Sequence, residues 1–345
     1  MDLADIHDVM ERGTLLLNEA SIEECLSLGE TIEVVFGSFL SLHDGSVVLP
    51  PVVHLNFEQR QGELDIKSAY MLSTEILSVK VSSGWFRNEE DFGLPSGFGT
   101  ILLIDATCGV TLAVMDGGHI TRVRTGAAGA VAARQLARDD SETAFILGAG
   151  AQGRIQLRGL AEVLPNLQRA LVFDSDSNRS ERFKEEMTSQ IGLPIEVATG
   201  IEDAALRADV IVTATPSREP LIMREWVLPG THINAMGADG PGKQELDSRI
   251  LRDADRVLVD AWQQARELGE CQHAVSDGYI AVDDETRPVQ IGAILAGDAV
   301  GRRSEEDITI FDSTGLAVQD LATAHLAYRQ ALKKDLGERF HMVSQ

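Results

Sequence analysis

Residues 143–153 read Thr143-Ala144-Phe145-Ile146-Leu147-Gly148-Ala149-Gly150-Ala151-Gln152-Gly153. Five residues with a strand pattern precede a complete G-x-G-x-x-G, and a helical pattern begins at Arg154. Asp174 follows the next strand pattern, Ala170–Phe173, about 20 positions after the last glycine. A strand before the glycines, a helix after them and an acid at this distance are the context in which the motif binds a dinucleotide. The stretch therefore predicts a Rossmann-type βαβ unit.

Each glycine of this motif has a physical task. Gly148 permits the tight turn, Gly150 lets a pyrophosphate approach the backbone, and Gly153 lets the helix pack on the strand. The diphosphate then lies at the helix N-terminus, where N–H groups and the helix dipole favour negative charge. Asp174 is expected to bind the adenosine ribose and to repel a 2′-phosphate, which favours NAD, while Arg179 leaves NADP possible. The alternative is a glycine-rich turn that binds no dinucleotide.

Around the motif, strand and helix patterns alternate. We predict helices at Gly126–Arg138, Arg154–Leu164 and Arg179–Gln190, and strands at Thr143–Leu147, Ala170–Phe173, Asp209–Ala214, His232–Met236 and Val257–Val259. Such alternation requires crossover connections and predicts a doubly wound parallel sheet. The predicted fold class is α/β, with a Rossmann domain over residues 126–315.

The preceding part of the chain has a different pattern. Ser21, with Glu24 three positions later, resembles a capping box and predicts an N-terminal helix. Apolar runs rich in β-formers predict a largely antiparallel sheet, with strands at Val47–Leu55, Glu63–Tyr70, Glu75–Ser82, Phe98–Asp105 and Val110–Met115. Residues Leu316–Leu336 predict a long amphipathic helix that packs back onto this part. Residues 1–125 and 316–345 are thus expected to form a second, α+β domain.

The composition excludes several classes of protein. A formal net charge of −24 at pH 7 repels phosphate backbones and anionic lipids, so we expect no nucleic-acid partner and no membrane association. Met1–Asp5 lacks the basic and apolar regions of an export signal, which predicts a cytoplasmic protein. The three cysteines form no C-x-x-C pair and the eight histidines form no H-E-x-x-H, so neither a disulfide nor a metal site is expected.

Three further segments carry a family resemblance. They are Arg122-Val123-Arg124-Thr125-Gly126-Ala127-Ala128-Gly129, the run from Gly230-Thr231-His232-Ile233-Asn234 through Ala235-Met236-Gly237-Ala238-Asp239 to Gly240-Pro241-Gly242-Lys243, and Asp307-Ile308-Thr309-Ile310-Phe311-Asp312-Ser313-Thr314-Gly315. With the glycine motif between them, the chain resembles the ornithine cyclodeaminase/mu-crystallin family over about residues 45–330. Members include ornithine cyclodeaminase, archaeal-type alanine dehydrogenase, ketimine, pyrroline-carboxylate and iminosuccinate reductases, and the ectoine-utilisation protein EutC. The resemblance implies a homodimer, joined through the substrate domain, that acts on a small amino or imino acid in a cleft between its domains.

The resemblance also implies roles for individual residues. Asp239 would be the catalytic acid/base, Lys80 a catalytic and substrate-binding residue, and Arg124 the cation that faces substrate carboxylate and cofactor. Lys67 and Thr314 are further candidates for substrate binding. The residues that would line the NAD site are Ser96, Arg124, Thr125, Gly148, Gly150, Ala151, Gln152, Gly153, Asp174, Thr215, Met236, Gly237, Ala238, Asp239, Lys243 and Ser313. Thr213 is the alternative to Thr215.

The residue patterns themselves leave two interpretations open for each catalytic candidate. Asp239 follows an apolar strand in a glycine-rich turn, where ligands of open α/β sheets bind. The alternative is an aspartate that caps this turn. Lys80 interrupts the apolar run Ile76–Val81, and either points inward or alternates onto the solvent face. Arg124 precedes the predicted helix, a poor place for a purely structural cation unless a carboxylate or phosphate pairs with it. Its alternative is a surface arginine.

One position departs from the family pattern. Members of known amino-acid specificity usually carry Arg or Lys where this chain has Val52, and an apolar side chain cannot clamp a substrate carboxylate. Lys67 could supply a replacement charge, as in EutC-like members. The leading hypothesis is reversible hydride transfer between NAD(H) and the α-carbon of an amino or imino acid. The alternatives are a cyclodeaminase, in which the hydride leaves and returns within one turnover, and a protein that binds NAD(P)H and a small ligand without turnover.

Overall fold

The computed structural model of the protein describes residues 11–283 and 287–342. The stretch Met1–Asp5, for which no export signal is predicted, lies outside these residues. Contacts divide the chain into two units. The second unit is Thr125–Gly315, and the first contains the residues up to Arg124 together with those from Leu316 onward.

The secondary structure elements are numbered in chain order. The strands are β1 Thr14–Leu17, β2 Val47–Val48, β3 Val53–Phe57, β4 Gly62–Met71, β5 Ile76–Trp85, β6 Gly97–Asp105, β7 Thr111–Asp116, β8 Thr143–Leu147, β9 Arg169–Phe173, β10 Ile195–Val197, β11 Val210–Thr213, β12 Arg218–Ile222, β13 His232–Ala235, β14 Gln244–Leu246, β15 Arg256–Val259, β16 Val289–Gln290, β17 Thr309–Asp312 and β18 Glu338–Phe340. The helices are α1 Glu19–Cys25, α2 Leu28–His43, α3 Asn88–Phe92, α4 Gly117–Leu136, α5 Ala151–Val163, α6 Ser177–Ile191, α7 Ile201–Leu206, α8 Ser248–Asp253, α9 Trp262–Leu268, α10 Cys271–Ser276, α11 Ile291–Ala296 and α12 Ala317–Lys334, with 3-10 turns at Glu58–Arg60 and Arg224–Trp226.

The second unit is built on a parallel sheet with the order β10-β9-β8-β11-β13-β17-β15-β16. Its central strands are buried along their whole length, which explains why they are continuous apolar runs. The chain winds from β8 through β9 to β10 on one side and then crosses to β11 on the other. This places a topological switch point beside β8, where ligands of doubly wound sheets bind. The predicted α/β fold class is confirmed.

The first unit contains a sheet with the order β18-β1-β7-β6-β5-β4-β2, and β3 also pairs with β4. Most of its pairs are antiparallel, as the sequence predicts. The exception is β1, which pairs parallel with β7 and which we did not predict. Helix α12 packs against α2 and against β4 and β5. None of the described helices could cross a membrane alone, although α1 and α2, bent by 85° at their junction, meet the length and composition for it together.

Two predictions in the N-terminal part of the chain are wrong in detail. The first helix is capped by Asn18, whose Oδ1 accepts the N–H of Ser21 at 3.0 Å, so Ser21 lies inside the helix rather than at its cap. The predicted strand Val47–Leu55 is divided into β2 and β3. Pro50 and Pro51 lie between the two strands, and proline has no N–H to donate to a sheet.

The predicted start of the helix at Gly126 is also wrong, because α4 begins at Gly117. Asp116 Oδ1 accepts the N–H of His119 at 3.1 Å and so satisfies one of the first-turn donors. Gly126 lies in the interior of α4, where it allows close packing: a Cβ there would lie 2.5 Å from Ile155 Cγ1 on α5. Arg124 therefore occupies the interior of a helix and not a position near its N-terminus.

Candidate functional site

The glycine turn between β8 and α5 combines two crowded positions with one open position. Gly148 has φ +106°, and a Cβ there would lie 2.6 Å from the carbonyl oxygen of Ala214. A Cβ at Gly153 would lie 2.1 Å from the carbonyl oxygen of Gly148. At Gly150, in contrast, a Cβ would meet no atom within 4 Å. The turn thus needs glycine at 148 and 153 for packing, and it leaves room beside the backbone of Gly150.

The start of helix α5 has donors available for an anion. Gly150 occupies the N-cap position and supplies no side-chain hydrogen bond, so the first-turn N–H groups have no side-chain cap. Within the described residues, the buried Oε1 of Gln152 also has no hydrogen-bond partner. Open space beside uncapped N–H groups at one turn fits the pyrophosphate of a dinucleotide.

Asp174 lies directly after β9 and is tied to the glycine turn. Its Oδ2 accepts the N–H of Ala149 at 2.9 Å, and its Oδ1 accepts the N–H of Asp176 at 3.0 Å. Each carboxylate oxygen has a second lone pair, so ribose hydroxyls can still bind there. Arg179, the residue that would suit NADP, is exposed and lies 3.7 Å from Asp176. Asp174 and Asp176 would repel the 2′-phosphate of NADP, so this arrangement favours NAD.

The loops after β11, β13 and β17 carry the other predicted residues of the second unit. The N–H of Thr215 and the N–H of Gly237 both donate to the carboxylate of Glu245, at 2.6 and 3.0 Å. Met236 and Ala238 are buried. Asp239 is half exposed, and its Oδ1 lies 2.5 Å from Lys243 Nζ.

Ser313 and Thr314, after β17, are engaged with Asp260. Ser313 Oγ donates to Asp260 Oδ2 at 3.3 Å, and Thr314 Oγ1 donates to Asp260 Oδ1 at 3.0 Å. Thr314 Oγ1 also accepts from Gln264 Nε2 at 2.9 Å, and the residue is buried. The hydroxyl of Thr314 is therefore already committed to contacts within the second unit.

A second set of candidate residues lies inside the first unit. Lys80 is 3 % exposed and Arg124 is 6 % exposed, so the surface alternatives for both side chains are wrong. Lys80 Nζ lies 2.7 Å from Asp320 Oδ2, and Arg124 Nε donates to Asp320 Oδ1 at 3.0 Å. Arg124 also donates to Gln319 Oε1 at 3.0 Å. We call Lys80, Arg124, Asp320 and Gln319 the cation cluster.

Sheet register places a third cation beside this cluster. Lys67 on β4 is the cross-strand partner of Lys80 on β5, so both side chains leave the sheet on the same face. Burial lowers the pKa of Lys80 to about 8, against the opposing effect of Asp320. Burial alone would raise the pKa of Asp320, but Lys80 and Arg124 hold it below its usual value. The carboxylate is thus charged at neutral pH and shared by two cations.

The remaining candidates lie elsewhere in the fold. Ser96 is exposed before β6, and its carbonyl oxygen accepts the N–H of Trp85 at 2.7 Å. Thr125 is buried on α4, and its carbonyl oxygen accepts Gln156 Nε2 from α5 at 2.8 Å. In residues 11–283 and 287–342, no group of three or more His, Cys, Asp or Glu side chains is arranged to hold a metal ion.

Comparison with known proteins identifies the family of this chain. The profile of the ornithine cyclodeaminase/mu-crystallin family matches residues 12–335. The chain belongs to this family. The resemblance inferred from the motifs is confirmed.

Relatives within the family include dehydrogenases, reductases and cyclodeaminases. The alanine dehydrogenase of Archaeoglobus fulgidus is 40% identical over 329 residues, which cover 94% of this chain and 98% of that protein. The structure of an archaeal alanine dehydrogenase dimer with bound NAD superimposes with a TM-score of 0.89 at 39% identity, covering 96% of this chain and 99% of that one. The Δ1-pyrroline-2-carboxylate reductase of Thermococcus litoralis, in complex with NADH and L-proline, superimposes with a TM-score of 0.90 at 37% identity, covering 95% and 100%.

Sequence reasoning missed several buried polar residues at these sites. Asp320 and Gln319 lie on the C-terminal helix, which we predicted only as an amphipathic packing element. Asp320 stands between the buried residues Val318 and Leu321, so an acid on the buried face was a usable signal. Glu245 was missed as well, and in the sequence nothing but its position shortly after the Gly230–Lys243 motif marks it.

Proposed function

We propose that this member of the family is an NAD-dependent oxidoreductase that transfers hydride between NAD(H) and the α-carbon of a small amino or imino acid. The observation that carries the proposal is the glycine turn, where Gly150 leaves open space beside uncapped helix N–H groups and Asp174. The residues present fit NAD, with the pyrophosphate held at the turn and the ribose at Asp174. When bound, NAD supplies the acceptor or donor of the hydride.

The cation cluster would hold the carboxylate of the substrate. Lys80 and Arg124 share the single carboxylate of Asp320, and both are buried. Buried cations are stabilised by further charge-assisted hydrogen bonds, and a guanidinium binds a carboxylate with two N–H groups. Family members usually carry Arg or Lys at the position of Val52. We propose that Lys67, the cross-strand neighbour of Lys80, supplies this positive charge instead.

Asp239 would hold and move the proton at the substrate nitrogen. Oxidation of an amino acid removes a hydride from the α-carbon and a proton from nitrogen, so a base is needed near the nitrogen. Asp239 is half exposed beyond β13, at the carboxyl edge of the sheet, and Lys243 pairs with it. Thr314 is a weaker candidate for the substrate, because its hydroxyl is buried against Asp260 and Gln264.

We further propose that the protein is a cytoplasmic homodimer. The exposed large apolar side chains of the first unit include Val48, Val52, Val53, Leu55, Phe57, Phe86, Phe92, Leu94 and Phe98. A large exposed apolar surface is typical of a protein interface. All three cysteines are free thiols, in keeping with a reducing compartment.

The test follows absorbance at the NADH band with purified protein and a panel of substrates. The panel contains 2-oxo acids with ammonia or methylamine, cyclic imines, and L-amino acids including ornithine, with ammonia assayed in parallel. NADH consumption with one imine class is the expected result and fixes the substrate. Ammonia release from ornithine with no net change in NADH would replace the proposal with a cyclodeaminase. Binding without turnover in either assay would indicate a ligand-binding protein.

A further inference from the structure

Three buried carboxylates lie beneath the loops of the second unit and have no role in the function proposed so far. Glu245, Glu270 and Asp312 are each at most 1 % exposed. Glu245 belongs to β14, Glu270 directly precedes α10, and Asp312 ends β17. Burial of an ionisable acid is unfavourable, so three buried acids in one unit need a physical explanation.

Backbone N–H groups connect the three carboxylates in a series. Asp312 accepts the N–H of Glu270 at 3.0 Å and that of Cys271 at 2.9 Å. Glu270 accepts the N–H of Glu245 at 2.7 Å and that of Leu246 at 3.2 Å. Both oxygens of Asp312 thus hold the backbone that carries Glu270, and both oxygens of Glu270 hold the backbone that carries Glu245. We call Asp312, Glu270 and Glu245 the carboxylate series.

Glu245 ends the series at two loops of the candidate NAD site. It accepts the N–H of Thr215 at 2.6 Å and the N–H of Gly237 at 3.0 Å. Thr215 lies two residues beyond β11, and Gly237 lies two residues beyond β13. The approach is close enough that a Cβ at Gly237 would lie 2.5 Å from Glu245 Oε2. One side chain therefore joins the ends of two neighbouring strands.

The position of these loops in the sheet decides which half of the cofactor they can reach. The glycine turn and Asp174 follow β8 and β9, on one side of the switch point, whereas β11 and β13 lie on the other side. In a doubly wound dinucleotide fold, each side of the switch point binds one mononucleotide. The turn and Asp174 serve the adenosine half, so the loops joined by Glu245 serve the nicotinamide half.

Burial and mutual repulsion change the pKa values of the three acids. Burial raises the pKa of Glu245 to about 7, and it raises the pKa of Asp312 to about 7. Burial, reinforced by the charges of Glu245 and Asp312, raises the pKa of Glu270 well above its usual value. The other titratable groups near the series are Asp260, the Cys271 thiol, His273, and the pair Asp239 and Lys243. Glu245 and Asp312 therefore change protonation near neutral pH.

We propose that Glu245, supported by Glu270 and Asp312, is a positioning residue that sets the two loops for the nicotinamide half of NAD. The inference rests on the NAD site of the proposed function. In its charged form, Glu245 holds both loop N–H groups, and loss of that charge loosens the two loops. The glycine turn keeps its own hydrogen bonds, from Gly148 N–H to the carbonyl oxygen of Phe173 at 2.8 Å and from Ala149 N–H to Asp174 at 2.9 Å. Glu245 acts on the cofactor through Thr215 and Gly237 and does not itself touch the reacting atoms.

The test compares two ligands by titration calorimetry. NADH occupies both halves of the site, whereas ADP has the adenosine and both phosphates but no nicotinamide riboside. In Glu245→Gln, we expect the dissociation constant of NADH to rise at least tenfold and that of ADP to stay within twofold of the wild-type value. The matched control is Glu225→Gln, an exposed acid paired with Arg249, which should change neither value. Equal weakening of both ligands, or no weakening of NADH, would overturn the proposal.

A measurement on the wild-type protein removes the dependence on a folded variant. Between pH 8 and pH 6 Glu245 and Asp312 gain protons, so NADH should bind more weakly at pH 6. The reference ligand is ADP-ribose, which lacks the nicotinamide and whose diphosphate is a diester with no ionisation in this range. Its affinity should change less than that of NADH. The same pH dependence for both ligands would refute the role of Glu245. Failure of the wild type to reduce any imine would count against the proposed function but would leave the difference between NADH and ADP intact.

Discussion

At the scale of single residues, Asp320 contacts both cations of the cation cluster and is itself buried. Asp320→Asn would leave Lys80 and Arg124 buried with a neutral partner. Removal of one member of a buried ion pair destabilises a protein by about 3–5 kcal/mol. We expect a loss of that order in the free energy of unfolding, measured by urea denaturation.

The control for this variant lies at the end of the same helix. Asp335 is exposed in a left-handed conformation that asparagine tolerates, so Asp335→Asn should change the free energy of unfolding by less than about 0.5 kcal/mol. If Asp320→Asn were as mild as Asp335→Asn, the cluster would not depend on Asp320.

The lowered pKa of Lys80 predicts how substrate binding depends on pH. Burial brings this pKa to about 8, so the ammonium is charged at pH 7 and loses its proton as the pH rises through 8. If the charged form binds the substrate carboxylate, the KM of the imino acid should rise roughly tenfold by pH 9. Initial rates from pH 7 to 9.5 measure this. Lys80→Arg keeps its charge throughout and should flatten the profile, whereas a flat wild-type profile would remove Lys80 from substrate binding.

At the scale of elements, different glycines of the turn from β8 to α5 serve packing and cofactor binding. Gly150→Ala places a methyl group in open space, so we expect an unchanged melting temperature but weaker NADH binding, because the pyrophosphate can no longer approach the backbone. Gly153→Ala would bring a Cβ to 2.1 Å from the carbonyl oxygen of Gly148 and should lower the melting temperature. Calorimetry and thermal unfolding measure both quantities. NADH binding that survives Gly150→Ala unchanged would argue against a cofactor at this turn.

The same scale shows why some elements could be predicted and others could not. The strands β8, β9, β11 and β13 are buried on both faces and short connections follow them, so continuous apolar runs identified them. Strand β1 was not predicted, because the apolar run Thr14–Leu17 shows no strand alternation. Its partners, β7 and β18, are distant in sequence, so no neighbouring hairpin indicates it. The start of α4 was missed because Gly117 and Gly118 resemble a turn.

At the scale of the whole molecule, the net charge of −24 predicts a dependence on salt. Self-repulsion among surface carboxylates destabilises the compact state, and salt screens it over a Debye length that shortens as ionic strength rises. We expect the melting temperature to rise by a few degrees between low salt and 0.5 M NaCl at pH 7. Near pH 5, where part of the carboxylates are protonated, the rise should be smaller. A melting temperature that falls with salt would show that attractive ion pairs dominate.

The exposed apolar side chains of the first unit predict the oligomeric state. Leu55 on β3 is 46 % exposed in the single chain, and Leu55→Glu should convert a dimer to a monomer if this surface is the interface. The control is Val300→Glu in the second unit, where Val300 is 61 % exposed. Light scattering gives the mass of each variant. A monomeric wild type, or a dimeric Leu55→Glu, would contradict the proposed interface.

The sequence by itself determined the features that depend on neighbouring residues. The βαβ unit, its three glycines and Asp174 lie within one short segment, and each is required by the geometry of that segment. The antiparallel strands of the first unit follow from local alternation and turn residues in the same way. Lys80 stood out as a charge in an apolar run, but the run left open whether its side chain points inward, and its role came from the family resemblance.

Only the tertiary structure decided which charges are buried together. Arg124 meets Asp320 although 196 positions separate them, and Asp312 meets Glu270 across 42 positions. The apolar pattern around an acid can indicate that it is buried, but it does not show which donors the acid meets. Those donors depend on which distant segments pack around it, and each hydrogen bond is necessary because burial removes water from the charge.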